Sequence, residues 1–66
     1  MIAFHVHDMT CGHCTKSITQ AVQAVDPHAR LQIDLATHAV KIEPGQADAA
    51  QLRDAIAAAG YTPVPV

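Results

Sequence analysis

Along this chain the spacing of the hydrophobic residues changes between a period of two and a period near 3.6, and the order of these segments restricts the fold most strongly. A period of two indicates a half-buried strand, and a period of 3.6 indicates an amphipathic helix. Alternation over residues 2–8 predicts a first strand that directs Ile2, Phe4 and Val6 inward. From His13 onward a helical period takes over, with an apolar stripe formed by Cys14, Ile18, Ala21, Val22 and Val25.

Asp26-Pro27 ends the predicted first helix, because proline cannot continue a helix and disfavours helical dihedrals in the residue before it. Two alternating segments follow and predict two strands, with the short connection 36–38 joining them as an antiparallel hairpin. Their inward residues are predicted to be Leu31, Ile33 and Leu35 in the first strand, and Val40 and Ile42 in the second.

The last third of the chain predicts a turn, a second helix and an edge strand. Pro44-Gly45 indicates the turn, and Asp48 with Gln51 three residues later resembles a capping box at the start of a helix. The apolar stripe of that helix is predicted to contain Leu52, Ala55, Ile56 and Ala59, with Gly60 as its left-handed C-terminal cap. Pro63 and Pro65 restrict the tail to a strand at the sheet edge.

The order strand, helix, strand, strand, helix, strand predicts an α+β fold, the ferredoxin-like βαββαβ sandwich. In this arrangement two helices cover one face of a four-stranded antiparallel sheet, and residues 1–66 form a single domain. The other face should be wet and polar. The polar residues that fall on it are His5, His7, Arg30, Gln32, Asp34, Lys41 and Glu43.

Charge and composition exclude several classes of function. The formal net charge is −2 and the four basic residues are scattered, whereas a nucleic-acid-binding protein needs a clustered basic face. No apolar run approaches the roughly 20 residues that span a bilayer, and no signal-peptide pattern begins the chain. We therefore expect a soluble, cytoplasmic protein, and Met1 and Val66 indicate a complete small chain. Without a nucleophile triad, a phosphate loop or paired carboxylates, an enzyme is not expected.

The two cysteines of the chain, Cys11 and Cys14, lie where the strand pattern changes to the helix pattern. In a reducing compartment such a pair indicates metal binding or redox chemistry and not a structural disulfide. Free backbone N–H groups and the positive end of the helix dipole favour thiolates there. Soft sulfur ligands select Cu(I), whereas zinc prefers four ligands and this segment offers two certain ones. So few ligands would release the metal readily, which is the property of a carrier.

The segment Met9-x-Cys11-x-x-Cys14 after a first strand, together with Gly60-Tyr61 after the second helix, resembles the heavy-metal-associated domain family, most closely its bacterial copper chaperones. The resemblance implies that Cys11 and Cys14 bind Cu(I), with Met9 packed inward and Tyr61 beside the site. It also implies that Cys11 meets the partner first and that metal passes by thiolate exchange. The implied partner is a P-type copper-transporting ATPase or a homologous metal-binding domain.

The sequence alone also allows other interpretations. The same fold could be a metal-binding domain of a P-type ATPase, or a mercury carrier, and Ag(I), Hg(II) or Zn(II) could replace Cu(I) as the native metal. Cys11-Gly12-His13-Cys14 is also the motif of protein disulfide isomerases, but the chain is too short and has the wrong element order for a thioredoxin-like fold. We expect a monomer without metal, with a metal-bridged dimer as an alternative.

Expectations also follow for several other residues. His13 is predicted to face outward as a solvated residue, with a role as third ligand as the alternative. His5 and His7 could hold a borderline metal weakly from the polar sheet face. Met9 is expected to point toward the core, as a continuation of the first strand, and Tyr61 to pack beside the site with its hydroxyl as a supporting donor. His28 and His38 are predicted to occupy turns without a specific role.

Overall fold

In the computed structural model, which describes residues 1–10 and 12–66, the chain forms the succession of four strands and two helices that the sequence predicts. The strands form one sheet in the order β2-β3-β1-β4, and every neighbouring pair is antiparallel. This is the predicted ferredoxin-like βαββαβ fold. The elements are β1 (Ile2–Val6), α1 (Gly12–Val25), β2 (Arg30–Asp34), β3 (Ala39–Glu43), α2 (Ala49–Ala58) and β4 (Pro63–Pro65).

One face of the sheet is buried against both helices and the other is open to water. In the paired strands β1 and β3, Phe4 lies opposite Val40, and both are buried. The residues that alternate with them along each strand point to the other face. All seven polar residues predicted on the outer face are exposed, which confirms the predicted orientation of the sheet. The buried hydrophobic core consists of Phe4, Val6, Met9, Ile18, Val22, Ala29, Val40, Ile42, Leu52, Ala55 and Ile56.

The capping box, the C-terminal glycine and the prolines in the second half of the chain have the roles that the sequence predicts. The side chain of Asp48 accepts the N–H of Gln51 at 2.8 Å, and the Gln51 side chain accepts the N–H of Asp48 at 3.0 Å, which completes the capping box of α2. Gly60 has a φ of 98°, in the left-handed region that glycine adopts without strain. β4 pairs with β1 at the sheet edge, where its prolines need no ladder partner on the outer side.

Three residues predicted to face the core do not. Val25 is 47% exposed at the last position of α1, because the next residue, Asp26, is buried in its place. Leu35 is 38% exposed, because β2 ends at Asp34, whose carboxylate accepts the N–H of Ala36 at 2.9 Å and starts the turn. Ala59 is exposed because it is the C-cap of α2, where the chain leaves the helix.

The buried carboxylate of Asp26 is the feature that the sequence did not predict. It is 1% exposed and is the one buried charged residue among those that the structure describes. Its Oδ1 accepts the N–H of His28 at 3.2 Å. Its Oδ2 accepts three successive N–H groups of the β3–α2 loop at 2.8–3.0 Å, from Gly45, Gln46 and Ala47. These hydrogen bonds join the end of α1 to a loop about 20 residues later in the chain.

Glycine is required at position 45, because His28 and Asp26 lie too close to its Cα to leave room for a side chain. A Cβ atom on Gly45 would lie 2.5 Å from the Cβ of His28 and 2.8 Å from Oδ1 of Asp26. Real Cβ atoms do not approach other heavy atoms so closely. The Cβ of His28 is fixed to its backbone, and the Asp26 carboxylate is held by its hydrogen bonds. The sequence pattern identified the turn at Pro44-Gly45, and the close approach explains why its second residue is glycine.

Candidate metal centre

The loops at one end of the sheet meet around the segment that leads from β1 into α1. This β1–α1 loop comprises residues 7–11, of which residues 7–10 are described. The N–H of Val6, at the end of β1, donates to the carbonyl of His38 in the β2–β3 turn at 2.8 Å. On the other side, Asp8 contacts Thr62 in the α2–β4 loop. Two loops distant in sequence therefore hold the β1–α1 loop in place.

Cys14 lies in the first turn of α1 and is half-buried, packed against the hydrophobic core. The partial shielding predicted from its helical phase is confirmed. No acidic residue occupies the first turn of α1, so the positive end of the helix dipole is available to stabilise an anion there. Cys11, the other predicted ligand, lies outside the described residues.

Met9 is completely buried within the core, as predicted. The cause differs from the expected one, since β1 ends at Val6 and does not continue to Met9. A turn at residues 7–8 follows, closed by the Met9 N–H that donates to the carbonyl of Val6 at 3.1 Å. The turn directs the thioether inward, two residues before Cys11, where a flexible apolar side chain can fill the space beneath the loop.

Tyr61 follows Gly60 in the α2–β4 loop and is half-buried. It packs against the same core cluster as Cys14, and that cluster contains Met9. Met9 thus belongs to the hydrophobic core, and Cys14 and Tyr61 pack against it. The role of the Tyr61 hydroxyl as a supporting donor stays a prediction. His13, in contrast, is exposed on α1, as expected for a solvated residue.

Asp8 connects the β1–α1 loop to the α2–β4 loop through two hydrogen bonds. Its Oδ1 accepts the N–H of Thr62 at 3.1 Å, and its Oδ2 accepts the Thr62 hydroxyl at 3.1 Å. The hydrogen bond from the Thr62 N–H is the main cause that lowers the pKa of Asp8 below its usual value. The carboxylate is therefore ionised at neutral pH. No local pattern predicts this contact, because the partners are 54 residues apart.

His38 has a specific contact, and the prediction that it has none is wrong. Its Nδ1 lies 3.0 Å from the carbonyl oxygen of Met9, and the ring is half-buried. The His5 and His38 rings also lie in an edge-to-face arrangement, with 6.0 Å between ring centroids and 70° between the planes. The pattern in the sequence placed His38 correctly in a turn but could not show which loop the turn would face.

Within residues 1–10 and 12–66, no three side chains of His, Cys, Asp or Glu converge to form a metal site. His5 and His7 are both exposed, so a weak site for a borderline metal would have to be built from these two alone or with an external ligand. Among the same residues, no helix combines the length and apolar character needed to cross a membrane.

Comparisons with known proteins agree with this geometry. The model of the heavy-metal-associated domain matches residues 3–62. A solved structure of a gold-binding protein is 32% identical, with 100% of each chain covered and a TM-score of 0.92. The copper chaperone Atx1 from Synechocystis PCC6803 is 38% identical, with 96% of this chain and 98% of the other covered and a TM-score of 0.91. No curated protein gives a significant match.

A domain of a second protein from Synechocystis PCC6803 also shares this fold. The N-terminal domain of PacS from Synechocystis PCC6803 is 26% identical, with 98% of this chain and 94% of the other covered and a TM-score of 0.83. The fold of this chain is thus similar both to a copper chaperone and to the N-terminal domain of another protein.

Proposed function

Because the chain belongs to the heavy-metal-associated domain family, we propose that it is a copper carrier that binds one Cu(I) ion through Cys11 and Cys14 and passes it to a partner protein. The observation that carries the proposal is the position of Cys14. The thiol is half-buried in the first turn of α1, beside a core that contains Met9, in a chain similar to a copper chaperone over nearly its whole length. We also propose that the chain has no catalytic activity of its own and acts in the cytoplasm.

The chemistry of the thiolates explains why such a site would suit Cu(I). Sulfur is a soft ligand and Cu(I) is a soft d¹⁰ ion, so the pair bind strongly with only two bonds. Two thiolates and one monovalent cation leave one negative charge, which the N-terminus of α1 would stabilise through its dipole and the backbone N–H groups of its first turn. Neighbouring apolar groups reduce access of water to the inner thiol Cys14.

Transfer requires no redox step. A thiolate of the partner would attach to the bound Cu(I), and one of the two Cu–S bonds to this chain would then break. Copper keeps its +1 charge throughout, and the departing Cys11 or Cys14 leaves as a thiolate that can take a proton from solvent. Cys11, which precedes α1, is the residue we expect to exchange first, since Cys14 is shielded by the core.

The partner in this proposal is a metal-binding domain of the same fold, such as one that belongs to a P-type copper-transporting ATPase. The similarity to the N-terminal domain of PacS supports a partner of that size and shape. The docking surface would comprise the β1–α1 loop, the first turns of α1 and the segment 60–62. The hydrogen bonds between Asp8 and Thr62 keep the first and last of these segments together.

An anaerobic titration tests the proposal. The fully reduced protein is titrated with Cu(I) in competition with a chromophoric Cu(I) chelator, and we expect about one equivalent of copper per chain to be withdrawn from the chelator. An end point near one half would instead indicate a copper-bridged dimer. If the chelator keeps all the copper, the proposed function is wrong. If the protein does bind copper, transfer can be measured by adding the Synechocystis PacS N-terminal domain to the loaded protein and determining how much copper each protein then holds.

Replacement of His13 by alanine should have little effect in this titration. His13 is exposed, and a two-coordinate Cu(I) site does not need it. We expect the change in affinity to stay below the roughly tenfold loss that removal of a supporting residue produces. A loss as large as that caused by Cys11→Ser would show that the imidazole is a third ligand.

A second candidate function is supported by the similarity to a gold-binding protein, which covers the whole chain. The same two thiolates could serve another soft ion, such as Au(I), Ag(I) or Hg(II), or Zn(II) with added ligands. Competition between Cu(I) and Ag(I) for the reduced protein distinguishes these uses. Copper displaced by equimolar Ag(I) would favour a general soft-metal carrier.

A further inference from the structure

His38 combines a left-handed backbone conformation with a side-chain contact to another loop. Its φ is 55°, in the left-handed region, and it is the one non-glycine residue with a positive φ in the part of the chain that the structure describes. For a residue with a Cβ this backbone conformation costs free energy, so the surrounding structure must stabilise it. Glycine adopts this conformation without a Cβ penalty, and Asn, Asp and His adopt it more often than other residues with a side chain do. Backbone geometry alone would favour glycine and does not by itself explain a histidine at this position.

The side chain supplies a reason. Nδ1 of His38 lies 3.0 Å from the carbonyl oxygen of Met9. A carbonyl oxygen can only accept a hydrogen bond, so Nδ1 must carry the hydrogen and donate it. The carbonyl of His38 accepts the N–H of Val6 at 2.8 Å in the same region. His38 therefore contacts both the last residue of β1 and the loop that follows it.

These contacts complete the immobilisation of Met9. Its side chain is fully buried, its N–H donates to Val6, and its carbonyl accepts from His38. Cys11 follows two residues later in the chain, and each residue adds at most about 3.8 Å of reach. Fixing the Met9 peptide therefore holds the chain that leads into the proposed site, and a site with few conformations loses less entropy when it binds metal.

We propose that His38 is a positioning residue of the copper site, which holds the Met9 peptide so that Cys11 and Cys14 can meet the same ion. The inference rests on the proposed function, because it concerns the same two thiols. His38 does not touch the metal in this proposal and acts only through the Met9 carbonyl. The hydrogen bond to the Met9 carbonyl offsets part of the cost of the positive φ, and glycine, which has no side chain, could not make it.

Three substitutions separate the hydrogen bond from the backbone strain. In His38→Asn, the amide nitrogen is as many bonds from Cα as Nδ1 is, so it can donate to the Met9 carbonyl. In His38→Asp, a side chain of the same shape has only acceptors and repels that carbonyl. In His38→Gly, the donor is lost but the positive φ is relaxed, so we expect the thermal midpoint to stay within about 5 °C of wild type.

The measurement is the affinity for Cu(I) by competition with the chromophoric chelator, together with thermal unfolding of each apo variant. We expect His38→Asp and His38→Gly to bind Cu(I) about fivefold more weakly, which corresponds to about 1 kcal/mol at 25 °C. His38→Asn should stay within about twofold of wild type. Long-range ¹H–¹⁵N NMR of the wild type should show a hydrogen on Nδ1 of His38.

The outcomes distinguish this inference from the proposed function. If the Asp and Gly variants bind copper as tightly as wild type does, His38 has no positioning role, although the copper site itself stands. If Asn fails to restore the affinity, the hydrogen bond is not the cause, and the inference is also wrong. If the wild type withdraws no copper from the chelator, the proposed function fails and the inference fails with it.

Discussion

Replacing Cys14 with serine is expected to lower the affinity for Cu(I) by more than about a hundredfold, because loss of a residue that merely supports a ligand already costs about 10–100-fold. A hydroxyl is a hard ligand that stays protonated at neutral pH, so it cannot replace a thiolate on a soft cation. One thiolate would remain, and a chelator with several donors would remove the copper. Cys11→Ser should cause a loss of the same order.

The fold should survive the Cys14 substitution. Cys14 is half-buried and not part of the fully buried core, so the serine hydroxyl can reach water or the carbonyl one turn earlier. We expect the thermal midpoint to move by less than about 5 °C. Ser17→Ala is a matched control, since Ser17 is also half-buried on α1 but should not touch the metal. Tight Cu(I) binding by folded Cys14→Ser would contradict the two-thiolate site.

Replacing Asp26 with alanine should lower the thermal midpoint by roughly 10–20 °C, more than the substitutions of Cys14, His38 or Asp34 do. The substitution removes a carboxylate that is 1% exposed and that accepts four backbone N–H groups. Those donors would then lie in a site that water reaches poorly, and an unsatisfied buried donor is costly. The β3–α2 loop would lose its attachment to the end of α1.

A graded series identifies the cause. Asp26→Asn keeps the shape of the side chain and one acceptor oxygen, but the new NH₂ group must face N–H donors that the carboxylate accepted. The thermal midpoint of this variant should therefore fall between those of wild type and Asp26→Ala. Asp34→Asn is the matched control, because the Asp34 carboxylate is exposed and accepts a single N–H, from Ala36. Its midpoint should shift by less than about 3 °C. Equal shifts for the Asp26 and Asp34 variants would refute the role of the buried cluster of N–H groups.

The same carboxylate predicts how stability depends on pH. The N–H groups of Ala47 and Gln46 are the main causes that lower the pKa of Asp26, and burial opposes them. Since the folded pKa lies below the unfolded value of about 3.9, the ionised form contributes stability above that value. This contribution is lost as the pH falls through the folded pKa. Thermal midpoints measured from pH 7 down to pH 2 should therefore fall more steeply in wild type than in Asp26→Asn.

The Asp26 variants should also separate stability from copper binding. Asp26 follows the last residue of α1, whereas Cys14 lies in its first turn. Asp26 follows Cys14 by 12 residues, which at about 1.5 Å per residue of helix corresponds to on the order of 18 Å. Copper stoichiometry of the folded Asp26→Asn protein at 10 °C should thus equal that of wild type. Copper binding that disappears before unfolding begins would show that the two ends of α1 are coupled.

The periodicity of the sequence was sufficient for the fold, because each element is specified by residues close to one another in the chain. The alternation of β1, the capping box of Asp48 and Gln51, and the left-handed Gly60 are all local signals, and each acts as predicted. The same signals placed Cys14 in the first turn of a helix. The ligand roles of Cys11 and Cys14 stay predictions that the titrations address.

What the sequence alone determined, therefore, is the order of the elements, the face that each one buries and the pair of cysteines before and within α1. Tertiary structure decided which loops touch: Asp26 reaches the β3–α2 loop 19–21 residues later, His38 reaches Met9 across 29 residues, and Asp8 reaches Thr62 across 54. No periodicity encodes such contacts. They arise because packing of the helices on the sheet brings distant loops together, and unpaired polar groups there must find partners.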